Sequence, residues 1–187
     1  HAEAGKAMAV IEKSAPVSLS PDIVKTTVAS GKKSLTMVVF SNDLDRAMAA
    51  FIIANGAAAM GLTVNLFFTF WGLNILRKPD GPAVSKTLIE KMFGWMMPKG
   101  ANKLTLSKMN MAGMGTMMMK DGMKKKNVTS LPELIASAQR VGVKLIACTM
   151  TMDIMGIKRE ELISGVEEGG VATYLGDASE SAVNLFV

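Results

Sequence analysis

Leu35-Thr36-Met37-Val38-Val39-Phe40 is an apolar, β-branched run that passes through Ser41-Asn42-Asp43 into an Ala-rich stretch over 44–60. That order predicts strand, loop, helix, because the apolar run is too short for a helix and the turn formers punctuate it. Gly61 then supplies the left-handed residue that ends a helix, and 62–70 resumes as a second strand. Working outward, Leu131-Pro132-Glu133 opens a helix with Pro in its first turn, which runs to Arg140. Gly142 stops it before a strand over 143–147. Further on, a short helix is expected around 158–164 and a last strand over 171–175. A C-terminal helix capped by Asp177 should extend through about Leu185. Apolar strands that do not alternate with polar residues, separated by helices, indicate a mostly parallel sheet covered on both faces. The predicted fold is a three-layer α/β sandwich.

The chain has 187 residues, 49% of them hydrophobic, enough for one domain with its own core. Residues 1–33 read as a linker or partial preceding element, broken by Pro16 and Pro21, with room for a short helix over 7–13. Residues 34–187 read as the α/β domain. No charged-then-apolar signal sequence opens the chain, and His1 in place of Met suggests a segment cut from a longer one.

Composition removes whole classes of chemistry. His1 is the only histidine, so no interior imidazole can serve a Ser/His/Asp or Cys/His arrangement. One Cys and a terminal His cannot build a structural zinc site, and no metal or cofactor is expected. Neither glycine fingerprint of nucleotide binding is present, since Gly113 and Gly115 stand alone. A single cysteine also fits a reducing cytosol better than a disulfide-stapled secreted protein, so a cytoplasmic location is expected.

The net charge of +5 is unevenly divided. Between Lys99 and Lys126 seven Lys face one acid, Asp121, whereas from Glu160 onward six acids face no base. Solvated faces are the plain explanation, and a docking patch for an acidic protein the sharper one. Nucleic acid is disfavoured, because Arg and aromatic residues are nearly absent from the basic stretch. Residues 47–76 carry no charge at all, a run longer than the roughly 20 residues that cross a bilayer. Asn55, Asn65 and Asn74, and the change of character at Gly61, favour a helix followed by a buried strand. Membrane association ranks below that.

Open parallel sheets bind ligands beyond the carboxyl ends of their strands. Three loops should meet there: Ser41-Asn42-Asp43, Phe70-Trp71-Gly72 and Cys148-Thr149-Met150. Cys148 is the only cysteine, so it cannot pair within its chain, and any sulfur chemistry passes through a partner thiol or a small adduct. Backbone N–H groups in the following turn would favour its thiolate. A buried, inert Cys acting as a small hydrophobe is the competing reading. Asn42 and Asp43 could orient a ligand or cap the first helix, with capping the stronger role. Trp71 could wall the pocket or fill core, and Asn110 could bond near the sulfur or organise a turn.

The segment Cys148-Thr149-Met150-Thr151-Met152-Asp153-Ile154-Met155-Gly156 resembles the cysteine motif of the DsrE/DsrF/DsrH-like family. The turn Thr69-Phe70-Trp71-Gly72-Leu73, the Met-rich 103–116 and the glycine-flanked 169–176 resemble its Met-rich DsrE-type branch. The resemblance covers 35–187 and implies a small α/β domain of flavodoxin-like topology. It further implies a sulfur relay in which Cys148 accepts sulfane sulfur as a persulfide and passes it to another thiol. Rhodanese-like or TusA-like carriers would be its partners. A peroxiredoxin-like assignment lacks support, since Lys144-Leu145-Ile146-Ala147-Cys148 has no Thr three residues before the thiol and no resolving Cys exists.

Of seventeen Met, ten lie between Met92 and Met123. Core packing explains such residues more simply than soft-metal binding. Met111, Met114 and Met118 are expected on one helical face, with Lys120, Lys124, Lys125 and Lys126 towards the helix end. After packing, the face ranks as a lid over Cys148, an oligomer interface, or a membrane contact. Uncharged surfaces of this kind favour a homo-oligomer.

Overall fold

The computed structural model describes residues 33–81 and 97–187. The expectations for 1–32, including the short helix over 7–13, concern residues outside those described, to which Met92 and Met96 also belong. Lys32–Val187 form one compact unit.

The first predicted elements stand close to where the sequence placed them. Strand β1 spans Ser34–Val39, helix α1 Leu44–Ala59 and strand β2 Thr63–Phe68. Gly61 takes φ of 84°, the left-handed conformation that lets the chain leave α1 and re-enter the sheet. Beyond β2 the backbone does not stay extended to Phe70: Phe70–Leu76 winds into a 3-10 segment. Charge-free residues 47–76 are thus helix, strand and 3-10 turn. No helix among the described residues is long and apolar enough to cross a membrane.

Helix α2 spans Met114–Lys125 and α3 Leu131–Arg140. Ser130 and Glu133 form a capping box on α3, which explains its sharp start: Ser130 N donates to Glu133 Oε2 at 2.8 Å. Strand β3 spans Lys144–Cys148, and α4, Thr149–Met155, follows at once. The short helix expected around 158–164 is a single 3-10 turn, Arg159–Glu161. Helix α4 instead begins at Thr149, nine residues before the expected start, and buries Thr151, Met152 and Met155.

The C-terminal third reverses the expectation. Val166–Gly169 is strand β4, Val171–Ser179 is helix α5, and Val183–Phe186 is strand β5. Residues 171–175 have strand-like composition but are helical, and the stretch expected as an Asp177-capped helix contains the last strand. Topology overrides propensity here: the sheet runs β4-β3-β2-β1-β5, all parallel. The chain must therefore recross the sheet between β4 and β5, and a parallel crossover needs a helix. The three-layer α/β class holds, while this order departs from the 2-1-3-4-5 order of flavodoxin-type sheets.

Side chains alternate across the strands. Met37, Val39, Leu66, Phe68, Leu145 and Ala147 join the main core with Phe51, Ala54, Ile135 and Ala138 of α1 and α3. Those two helices pack together, and Asn55 Nδ2 of α1 donates to Leu134 O at 3.1 Å. Phe67, Ile146 and Cys148 point to the opposite face, where Tyr174 of α5 covers them.

Candidate functional site around Cys148

The three predicted loops do meet at the carboxyl edge, because β1, β2 and β3 are neighbours in register. Thr69 N donates to Val39 O at 3.1 Å and Gly72 N to Phe40 O at 2.7 Å, joining the first loop to the second. Thr151 joins the second to the third: its Oγ1 lies 3.0 Å from Thr69 Oγ1 and accepts from Phe70 N at 3.3 Å.

Cys148 closes β3 and stands opposite Gly169, the last residue of β4. The connections after β1, β2 and β3 all step one way along the sheet, whereas the connection after β4 returns to the far side of β1. Right-handed crossovers then put the chain leaving β3 and the chain leaving β4 on opposite faces. Their divergence is the topological switch point, the place where open α/β sheets bind ligands. Cys148 sits at that point.

Its thiol is not open. Cys148 is 1% exposed, packed against Phe67 and Ile146 with Tyr174 beside them. The Phe67 and Tyr174 rings are 5.3 Å apart between centroids. The expectation of a thiol near the loop surface is therefore corrected: it lies at the rim of the sheet but on the face that α5 covers. Helix α5 itself buries no residue fully, so the cover is thin. A Cβ on Gly169 would come within 2.9 Å of Ile146 Cγ2 and 3.3 Å of Thr173 Cβ, so this glycine permits the close seating of α5.

Other expected site residues divide into two groups. Phe70 and Trp71, 37% and 43% exposed, and Met150, 49% exposed, form an apolar rim at the loop edge with Thr149. Phe70 is in ring contact with Phe40 at 5.4 Å, and Phe40 with Phe186 at 5.8 Å. Asp43 occupies the N-cap position of α1 but makes no side-chain cap bond. It instead accepts from Ser41 Oγ at 2.7 Å and pairs with Arg46 at 3.5 Å. Asn42 beside it is half-buried. Asn110 serves a turn and not the sulfur: its Oδ1 accepts from Thr116 Oγ1 at 2.7 Å and its carbonyl from Gly115 N at 3.0 Å.

The Met-rich segment also departs from expectation. Ala112 and Gly113 have φ of 56° and 96°, so Met111 precedes the helix and shares no face with Met114 and Met118. Core packing does not account for these residues either, since Met109, Met111, Met114, Met117 and Met118 are all more than half exposed. A cavity of about 910 Å³ opens between α2 and α3, lined among others by Lys120, Lys124, Ser137 and Arg140. None of its lining residues belongs to the Cys148 cluster.

Sequence reasoning missed Phe67, Ile146, Gly169 and Tyr174. Strand parity was the available signal, because Ile146 and Cys148 two residues apart must share a face.

A family model described as DsrE/DsrF/DrsH-like matches residues 31–186. The chain belongs to that family. Within reach of this DsrE-like chain are two curated relatives. The "Uncharacterized protein YrkE" of Bacillus subtilis is 58% identical over 155 residues, covering 83% of this chain and 97% of the relative. The "Sulfur carrier protein DsrE2" of Allochromatium vinosum is 40% identical over 160 residues, covering 83% and 99%. Among solved structures, the ychN protein of E. coli superposes with a TM-score of 0.50 at 11% identity, over 83% of this chain and 99% of that one. That likeness speaks to the DsrE-like fold.

Proposed function

We propose that this DsrE-like chain is a sulfur carrier that holds sulfane sulfur on Cys148 as a persulfide and hands it to a partner thiol. The single observation that carries the reading is the place of Cys148, the only cysteine, at the switch point between β3 and β4. Similarity to a protein named as a sulfur carrier supports the substrate class.

The step is a thiolate displacement on sulfur. Cys148 Sγ, deprotonated, attacks the terminal sulfur of a donor persulfide; a new S–S bond forms at Cys148 and the donor's S–S bond breaks, releasing the donor thiolate. Passing the sulfur on reverses these roles with an acceptor thiolate. No external oxidant or reductant enters, because the sulfur moves as a neutral atom between thiolates. Partners are therefore proteins that present a persulfide or a thiol, such as rhodanese-like or TusA-like carriers. A homo-oligomer in the cytoplasm is part of the same reading.

Cover by Phe67, Ile146 and Tyr174 has two consequences. A persulfide held there is shielded from water and oxidants, and exchange needs α5 to lift. The same burial favours a second reading, an assembly module whose Cys148 is merely core. Native-state thiol labelling discriminates between them. Sulfur carriage requires Cys148 to react under folding conditions, with the signal absent from Cys148→Ser. Reaction only after global unfolding favours the assembly module and contradicts the proposal.

A further inference from the structure

Helices α2 and α3 flank a cavity of about 910 Å³ that neither of them fills. Neighbouring helices ordinarily close such a space with interdigitating apolar side chains. Here α2 buries only Thr116, and α3 commits its buried residues, Leu131, Ile135 and Ala138, to the main core. The stripe of α3 that lines the cavity instead carries Ser130, Glu133, Ser137 and Arg140, at three- and four-residue spacing over about 15 Å. From α2 come Lys120, Met123 and Lys124, the two lysines one turn apart with Cβ atoms about 6 Å from each other.

Three cations therefore meet one carboxylate in this lining. None of Lys120, Lys124 and Arg140 is in an ion pair among the described residues. Lys120 Nζ donates to Asn102 O at 2.8 Å, which anchors the half-buried lysine and leaves its other N–H donors for a ligand. Arg140 Nε donates to Ala136 O at 3.4 Å, so the rest of the guanidinium fork is available. Glu133, the single acid, is engaged at the α3 cap, where it accepts from Ser130 N at 2.8 Å and Ser130 Oγ at 2.7 Å. Unmatched positive charge gathered in a concave site favours a ligand with several negative charges.

We propose that this cavity binds a small organic polyanion, its phosphate or carboxylate groups held by Lys120, Lys124 and Arg140 and its carbon frame lying against Met123 and Val128. The volume is that of a small-molecule site. Because the cavity shares no residue with the Cys148 cluster, the proposal does not depend on the sulfur-carrier reading.

The test is isothermal titration calorimetry of the full chain with fructose 1,6-bisphosphate and, separately, with citrate. Saturable binding of one equivalent per chain to at least one of them is expected, weakening as salt rises. Tighter binding of the bisphosphate assigns phosphate as the recognised group, and tighter binding of citrate assigns carboxylate. Lys124→Gln with Arg140→Gln, both at exposed positions that the fold does not need, should weaken binding at least about tenfold through loss of charge-assisted hydrogen bonds. Ser137→Trp, which fills the cavity without changing charge, should abolish it. Lys125→Gln should leave it unaltered, since Lys125 is paired with Asp121 at 2.7 Å and lies outside the lining. Absence of saturable binding to both anions, binding insensitive to Lys124→Gln with Arg140→Gln, or binding by a folded Ser137→Trp protein as tight as the parent's overturns the proposal. A loss in Lys125→Gln equal to that in the paired variant also overturns it, in favour of a diffuse basic surface that suits an acidic protein.

Discussion

Cys148 and Gly169 stand side by side as the last register pair of β3 and β4, and from that pair the chain leaves to opposite faces of the sheet. The cysteine is thereby placed at the sheet's ligand-binding edge, and the glycine, lacking a Cβ, lets α5 sit close enough to hide it. Accessibility of the thiol is thus governed by α5 and not by the loops alone.

Tyr174→Ala should expose the thiol. Its ring is the α5 group packed on the Phe67, Ile146 and Cys148 cluster. Removal should speed native labelling of Cys148 by roughly tenfold while costing about 1–3 kcal/mol in stability, less than a fully buried aromatic because Tyr174 is only half-buried. Equal labelling rates in the two proteins would show that some other group limits access.

Gly169→Ala should act in the same direction through sterics. The added methyl meets Ile146 Cγ2 and Thr173 Cβ, so α5 must shift outward. Faster labelling with retained secondary structure by circular dichroism is expected. Slower labelling would mean the methyl plugs the route to the sulfur.

Thr151→Val should loosen the tie between the 3-10 turn after β2 and α4. Both Thr69 Oγ1 and Phe70 N lose a partner at a buried position. The expected cost is about 1–3 kcal/mol in urea unfolding, with an unchanged m-value. A cost near zero would show that water replaces the hydroxyl.

Asp45 links α1 to the segment before α2, accepting from Ser107 N at 2.9 Å and Ser107 Oγ at 2.6 Å. Partial burial raises its carboxyl pKa, but the Ser107 hydrogen bonds outweigh this and hold it below the ordinary 3.8. A group depressed on folding contributes stability that is complete above its unfolded value and lost as pH falls through the folded one. Unfolding midpoints should therefore decline below about pH 4 less steeply in Asp45→Asn than in the parent protein. Parallel declines would assign the acid sensitivity to other carboxylates.

How much of this was legible depends on how strongly local signals matched the global fold. β1, α1, β2 and α3 were readable because Leu35–Val39 is a run of apolar and β-branched residues and Ser130 with Glu133 spells a cap. Residues 171–175 were misread because Val, Thr and Tyr favour strands locally, while the need to recross from β4 to β5 makes them helical. The position of Cys148 at a strand end was visible in the sequence. Its burial was not, since that depends on Tyr174, more than twenty residues away in sequence. The exposed methionines were misjudged for a related reason: Met packs cores and lines interfaces equally well, and the sequence carries no mark of which it does.

The central claim is tested most directly by the intact mass of the native protein after exposure to a polysulfide donor and removal of excess reagent. Addition of one sulfur atom, mapped to the Cys148 peptide, absent from Cys148→Ser and removed by an acceptor thiol, is the predicted result. An unmodified mass beside a small-thiol control that takes up sulfur under the same conditions would contradict it.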